Sequence, residues 1–323
     1  MSEAAPTIHH LQSIVPSEMC GMRLDQALAA LFPDHSRSRM QGWIRAGAVV
    51  VDNRPWEKPK ARLFGGEKIT IQAEQRAEVA FLPQPIPLEL LYQDRDLIIV
   101  NKPAGLVVHP AAGNPDGTLQ NALLHLDPEL CRVPRAGIVH RLDKETSGIV
   151  MIARTPEAHT ALVAQLQART IRREYVALAQ GRVVANGRID QPIGRHPTQR
   201  LKMAVVAGGK AAVTHYQVSE RFAAHSWLRV RLESGRTHQI RVHLAHLRHP
   251  LVGDPLYGGR LRIPAGCSPA LRQQLLGFSR QALHAQRLGL IHPRSGEALE
   301  WQSEIPQDLQ QLLTTLREEE GHG

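Results

Sequence analysis

The sequence predicts a two-part chain of the α+β class, and three observations carry that expectation. Near the start, apolar residues recur at helical spacing: Leu24, Leu28 and Leu31 form one stripe, Met40, Trp43 and Ile44 another. Three prolines then alternate in Leu82-Pro83-Gln84-Pro85-Ile86-Pro87, the composition of an extended, semi-rigid linker. Beyond that point the pattern is mixed, with strand-length apolar runs among helical stripes.

Each element has a local cause. Phe32-Pro33 ends the first helical stripe, Ser36 is placed to cap the second, and Gly47 closes it. Val49-Val50-Val51, the Asp52-Asn53 turn and Lys68-Ile69-Thr70-Ile71 read as short strands. After the linker, Leu97-Ile98-Ile99-Val100 and Gly148-Ile149-Val150-Met151-Ile152-Ala153 read as buried strands, and Tyr175 to Ala179 as a further one. Thr155-Pro156-Glu157 is a helix start: a cap, a proline in the first turn and an acid near the positive end. Gly208-Gly209 suits a hairpin turn before the alternation from Val213 to Ser219, and Leu228 to Leu232 alternates similarly. Ile240, Leu244 and Leu247 make a helical stripe after Thr237. The expected organisation is a loose polar arm over residues 1–16, a small module over 17–80, a Pro-rich linker over 81–90, a large domain over 91–310 and an acidic tail over 311–323.

Composition narrows the function. The 323 residues carry a formal net charge of +9, and 42% are hydrophobic, enough for a substantial core. Residues 165–248 hold 15 Lys/Arg against 4 Asp/Glu, so one region carries the positive charge, as a phosphate-tracking face requires. Cys20, Cys131 and Cys267 are odd in number, far apart and without a C-x-x-C, which disfavours a disulfide framework or a zinc site. No cationic start leads into an apolar stretch, and no apolar run approaches the roughly 18 residues of a membrane span, so the expectation is a cytoplasmic protein with no membrane contact.

Two clusters could carry chemistry. Residues 137–148 place His140, Arg141, Asp143, Lys144 and Glu145 between apolar runs, as a loop joining two strands at a core edge. The same residues are equally a charged turn closed by an internal salt bridge. Gly235-Arg236-Thr237-His238-Gln239-Ile240-Arg241 opens a helix on which Arg241, Ala245 and Arg248 share a face away from the apolar stripe. Taken alone, it reads most simply as a solvated basic helix. A metal-dependent nuclease using His238, His243, His246 and His249 lacks the i, i+4 spacing of helical zinc pairs, and that segment contains no carboxylate until Asp254. The fingerprints of a P-loop, a dinucleotide fold and a serine-hydrolase elbow are absent. The expected metal and cofactor are therefore none.

His140-Arg141-Leu142-Asp143-Lys144-Glu145-Thr146-Ser147-Gly148 resembles the catalytic motif of the RluA family of pseudouridine synthases. Asn101-Lys102-Pro103-Ala104-Gly105 resembles that family's upstream motif, Arg172-Arg173-Glu174-Tyr175 its tyrosine motif, and Gly235 to His243, continuing to Gly258, its arginine motif. Gly21-Met22-Arg23-Leu24-Asp25 with Ser36-Arg37-Ser38-Arg39 is similar to the alpha-L RNA-binding module that precedes the catalytic domain in many members. Glu145 stands where Asp is common and Arg173 where Lys is common, both keeping charge.

The resemblance implies a mostly antiparallel mixed β-sheet flanked by helices and loops, and isomerisation of uridine in structured RNA, most closely large-subunit ribosomal RNA. It assigns Asp143, Tyr175 and Arg241 to catalysis. RNA contacts fall to Arg141, His140, Lys144, Arg172, Arg173, Arg236 and His238, with Arg37 and Arg39 in the small module. The implied partner is a ribosomal RNA hairpin or an assembling ribosome, met by a monomer. The competing reading is a non-catalytic RNA-binding or ribosome-assembly protein, in which Asp143 makes only a structural ion pair.

Overall fold

The computed structural model describes residues 8–321 apart from 34, 36, 75–81 and 112, and the chain divides into two units, residues 1–80 and 81–323. In the first unit, strands β1 (Ile8–Ile14), β2 (Val49–Val51), β3 (Arg54–Pro55) and β4 (Lys68–Glu74) form an antiparallel sheet in the order β1-β4-β2-β3. Helices α1 (Leu24–Leu31) and α2 (Arg37–Arg45) close it: Leu24, Ala27 and Leu28 from one, Met40 and Ile44 from the other, join Val49, Val51, Ile69 and Ile71 in a single core. Asp52 and Asn53, at φ 46° and 64°, form the two-residue turn that matches the twist of a hairpin.

The expected loose arm is corrected for residues 8–14. They pair with β4 along their whole length, from Ile8 opposite Glu74 to Ile14 opposite Lys68. The inward side of this stretch is Leu11, Ser13 and Val15 while Ile14 faces solvent, so the sequence lacks the alternation that marks a strand. Residues 1–7 of that arm, the cap expected at Ser36, residue 81 of the linker and residues 322–323 of the tail lie outside the described residues.

The second unit is organised by one nine-stranded sheet. Its strands are β5 (Glu89–Gln93), β6 (Leu97–Lys102), β7 (Ser147–Ala153), β8 (Arg172–Gln180), β9 (Gly187–Asp190), β12 (Val213–Arg221), β13 (His225–Leu232), β14 (Leu283–Ile291) and β15 (Ala298–Gln302); β10 (Ile193–Arg195) and β11 (Met203–Val205) pair separately. The order is β5-β6-β7-β14-β8-β13-β12-β9, with β15 beside β14, and only the β7–β14 pair is parallel. That pair needs Gly148, which lies at φ 113° opposite Ala285: a Cβ there would sit 2.2 Å from the Ala285 carbonyl oxygen.

Strand alternation sorts the core into two faces. Ile98, Val100, Val150, Ile152, Tyr175, Ala177, Leu228 and Val230 pack with α3 (Leu119–Leu126) and with Ile240 and Leu244 of α5 (Gln239–His246). On the other face, α4 (Pro156–Ala168) packs on Leu97, Ile149 and Met151, while α6 (Pro269–Gly277) and α7 (Gln307–Gly321) pack on Val176 and Leu178.

Three segments gain detail from the structure. Residues 82–88, read as an extended linker, are docked: Ile86 and Leu88 pack on the core, Gln84 donates its N–H to Asn121 O (3.0 Å), and Asn121 Nδ2 donates to Leu82 O (2.9 Å). The acidic tail is a helix, α7, whose Leu309, Leu312, Leu313 and Leu316 are buried and whose Arg317 pairs with Glu220. Immediately before the Asp143 loop, in place of the expected strand, stands the 3-10 turn Pro134–Gly137, with Ile138 making a single bridge to Ile152.

Candidate active site

Asp143 sits on a loop that is fastened from several directions. Lys102, fully buried at the end of β6, donates from Nζ to Pro103 O (2.7 Å), Leu106 O (2.9 Å) and Lys144 O (3.0 Å). Gly105 N–H donates to the same Lys144 carbonyl (2.9 Å), and Thr146 N–H closes a turn onto Asp143 O (3.0 Å). Gln281 Nε2 donates to Thr146 Oγ1 (3.0 Å) and Arg280 Nη1 to Glu145 O (3.3 Å). His140 accepts the Met151 N–H at Nε2 (3.0 Å), and burial pushes its pKa down to about 3, so it is a neutral brace between loop and β7. A reactive group held by this many bonds is preorganised rather than searching for its position.

Arg241 reaches this loop from α5. It is only 4% exposed, its Nε and Nη2 donate to the two oxygens of Asp254 (2.7 and 2.8 Å), and its Nη1 donates to Asp143 Oδ2 (2.9 Å). Burial disfavours the charge on Arg241, but Asp254 and Asp143 outweigh it and raise its pKa above the ordinary guanidinium value. Burial likewise opposes ionisation of Asp254; the bonds from Arg241 and from the Leu256 and Tyr257 N–H groups reverse that and lower its pKa. The solvated-helix reading of this segment therefore fails for Arg241, while Arg248, past the helix end, is exposed.

The second oxygen of Asp143 is differently placed. Oδ1 accepts no hydrogen bond from the described residues, and His238 Nε2 stands 3.9 Å from it. His238, at φ 56° before α5, has Nδ1 2.8 Å from the Tyr257 hydroxyl, which itself accepts the Met203 N–H. In the tautomer in which the hydroxyl donates to Nδ1, Nε2 carries the hydrogen and faces Asp143. The Tyr257 ring lies under the Arg241 guanidinium, 5.1 Å from centroid to Cζ.

Tyr175 and Arg173 project from β8 on the face that carries α5. Burial raises the Tyr175 pKa, so it is a neutral phenol at physiological pH; the nearby Asp143 charge acts in the same direction and Arg173 against it. Arg173 is 7% exposed, and its Nε is buried without a hydrogen-bond partner. Arg172, one residue earlier, is turned by the pleat to the opposite face, where it pairs with Glu174 (2.7 Å) and Glu300 (3.3 Å). Arg141 and Lys144 are exposed beside Asp143, and Arg236, also exposed, donates from Nε to Ala211 O (3.1 Å). In the first unit, Arg37 holds the buried Asp25 together with Arg23 and Gln41, yet remains 44% exposed, and Arg39 is half-buried on the same helix. His243 and His249, two of the histidines considered as metal ligands, are occupied with Thr214 and Gln191 and with Gln180.

Residues 96–246, which contain Asp143, Tyr175 and Arg241, match the family described as RNA pseudouridylate synthase, and residues 22–69 match the S4 domain. The ribosomal large subunit pseudouridine synthase D of Escherichia coli (strain K12) is 55% identical over 307 residues, which cover 95% of this chain and 94% of that protein. The chain belongs to the RNA pseudouridine synthase family. The protein of the same description from Pseudomonas aeruginosa is 55% identical over 305 residues, 94% of this chain and 95% of its own. Among solved structures, human RNA Pseudouridylate Synthase Domain Containing 4 superposes with a TM-score of 0.54 at 26% identity, over 71% of this chain and 93% of that one.

Three residues of this pseudouridine synthase escaped assignment from sequence: Lys102, Asp254 and Tyr257. All lie inside the motif stretches, but nothing local tells that Asp254 shares Arg241 with Asp143 or that Tyr257 orients His238. Replacing Lys102 with methionine is expected to cost about 1–3 kcal/mol for each carbonyl left without a partner. It should lower turnover more than RNA affinity, because the Asp143 loop loses its anchor. Urea unfolding and single-turnover assays check this, and unchanged stability and turnover would refute it.

Proposed function

We propose that this enzyme converts uridine to pseudouridine in structured large-subunit ribosomal RNA, acting as a monomer in the cytoplasm on free RNA or on an assembling ribosome. The observation that carries the reading is the Asp143 carboxylate, 17% exposed, with one oxygen on the buried Arg241 and the other unbonded. The reaction breaks the bond from ribose C1′ to uracil N1, turns the base and forms the bond from C1′ to C5; the C5 proton is lost and N1 takes one up, so the product is an isomer of the substrate. The anomeric carbon is electron-poor when its bond to the base opens, as in glycoside cleavage, and Asp143 Oδ1 offers it a negative charge. The Tyr175 ring gives the uncharged base a surface to pack on. The target must leave its stack to reach Asp143, and the exposed Arg141 guanidinium suits the space it vacates.

The remaining cations fit the phosphates. Arg173, buried and lacking an anion, is suited to a backbone phosphate of the target nucleotide; Lys144, Arg236 and His238 line the same neighbourhood. Arg37 and Arg39 of the S4 unit supply a second RNA contact. Arg172, on the opposite face, is left out of this set.

Pseudouridines mapped in ribosomal RNA from cells with and without the gene test the substrate. Loss of defined large-subunit pseudouridines, restored by the wild-type gene and not by an Asp143→Ala copy, is the expected result. An unchanged ribosomal map would overturn the substrate class.

A further inference from the structure

A second cationic site lies behind Tyr257. Arg248, Arg260, Arg262 and Arg272, with Tyr257 and Pro250, are among the residues lining a cleft of about 810 Å³ in which no Asp or Glu takes part. All four arginines are exposed, and none of their guanidiniums forms an ion pair or hydrogen bond with another described residue. Several arginines of this unit are matched to acids, Arg154 to Asp127, Arg280 to Asp308, Arg294 to Asp96 and Arg317 to Glu220, whereas here four unmatched ones share a single cleft. Four like charges gathered around one cleft repel one another at separations within a Debye length, so this is a place where charge is kept unneutralised by the protein itself.

We propose that this cleft holds the phosphodiester backbone of the RNA strand flanking the target uridine. The volume exceeds that of a single phosphate, and guanidinium forks match phosphate oxygens in pairs. Tyr257 is common to both sites: its ring lies under Arg241, and the residue is part of the cleft lining. The cleft is thus connected to the Asp143 centre through Tyr257 and the Arg241 it packs against. This assignment rests on RNA being the substrate and adds a second, sequence-independent grip outside the catalytic loop.

The test is the full-length enzyme with Arg260→Gln and Arg262→Gln together, compared with wild type on a long ribosomal RNA fragment and on the same target hairpin trimmed of flanking nucleotides. On the long RNA, affinity should fall roughly tenfold, and the dependence of log affinity on log salt should become shallower by about 0.7–0.9 for each arginine removed. The loss should fall on affinity rather than on the single-turnover rate at saturating RNA, and it should vanish on the trimmed hairpin. Unchanged affinity and salt slope on the long RNA would overturn the proposal, as would an equal loss on the trimmed hairpin. If wild type forms no pseudouridine in either RNA, the functional reading fails, while the binding comparison still decides the cleft.

Discussion

Substituting Arg241 with methionine is expected to lower turnover by about a hundredfold to several-thousandfold while changing RNA affinity only a few-fold. Arg241 is a single buried cation between two carboxylates, bonded to Asp254 through Nε and Nη2 and to Asp143 through Nη1. Removing one partner from a buried ion pair costs about 3–5 kcal/mol, because the remaining charge is left without compensation. Here Asp143 and Asp254 would share that penalty, and each would tend to bind a proton, which removes the charge needed at the anomeric carbon. Lysine at this position keeps the charge but cannot bond Asp254 and Asp143 at once with the same fork, so Arg241→Lys should recover only part of the loss. Single-turnover rates and equilibrium binding on one RNA separate the two effects. Equal losses in rate and affinity would place Arg241 among the phosphate contacts instead. Thermal melting identifies the share of the effect that comes from unfolding.

Replacing Asp143 with alanine should have the larger effect, a loss of about a thousandfold or more, the scale seen when a preorganised charge is taken from a transition state. Stability should suffer less than in Arg241→Met, since Asp143 is partly exposed and Arg241 keeps both bonds to Asp254. RNA affinity should hold or rise slightly, because a negative charge leaves a site that approaches a polyanion. A structural ion pair in a non-catalytic RNA-binding protein predicts the reverse ranking: reduced stability and no activity to lose. The mutant's melting temperature and product yield together distinguish the two.

Much of this site is legible in the sequence because its chemistry is concentrated in short ordered motifs. Asp143, Tyr175 and Arg241 stand on different elements, 98 residues separating Asp143 from Arg241 along the chain, and the structure brings the latter two to 2.9 Å. Strand parity was harder to read. Arg172 and Arg173 are adjacent in sequence, yet the pleat sends one to Glu300 and leaves the other beside Tyr175, and nothing local tells which face is which. Lys102 ends an apolar run but is wholly buried, a placement that residue type argues against and that only the three converging carbonyls explain. In α7 the stripe of Leu309, Leu312, Leu313 and Leu316 is present in the sequence, but the run Glu318-Glu319-Glu320 at its end gives the segment the look of an acidic tail. β1 carries no such stripe; its pairing with β4 is a tertiary fact.

The central claim is that the Asp143 carboxylate drives isomerisation of a uridine bound beside it. The most direct test is release of the C5 hydrogen from RNA labelled with tritium at uracil C5, followed in a single turnover with wild type and with Asp143→Asn at saturating enzyme. Asparagine keeps the shape and still accepts the Arg241 bond but carries no charge. Tritium should be released by wild type and retained by the variant, although the variant binds the RNA fully. Release by Asp143→Asn at the wild-type rate would contradict the account.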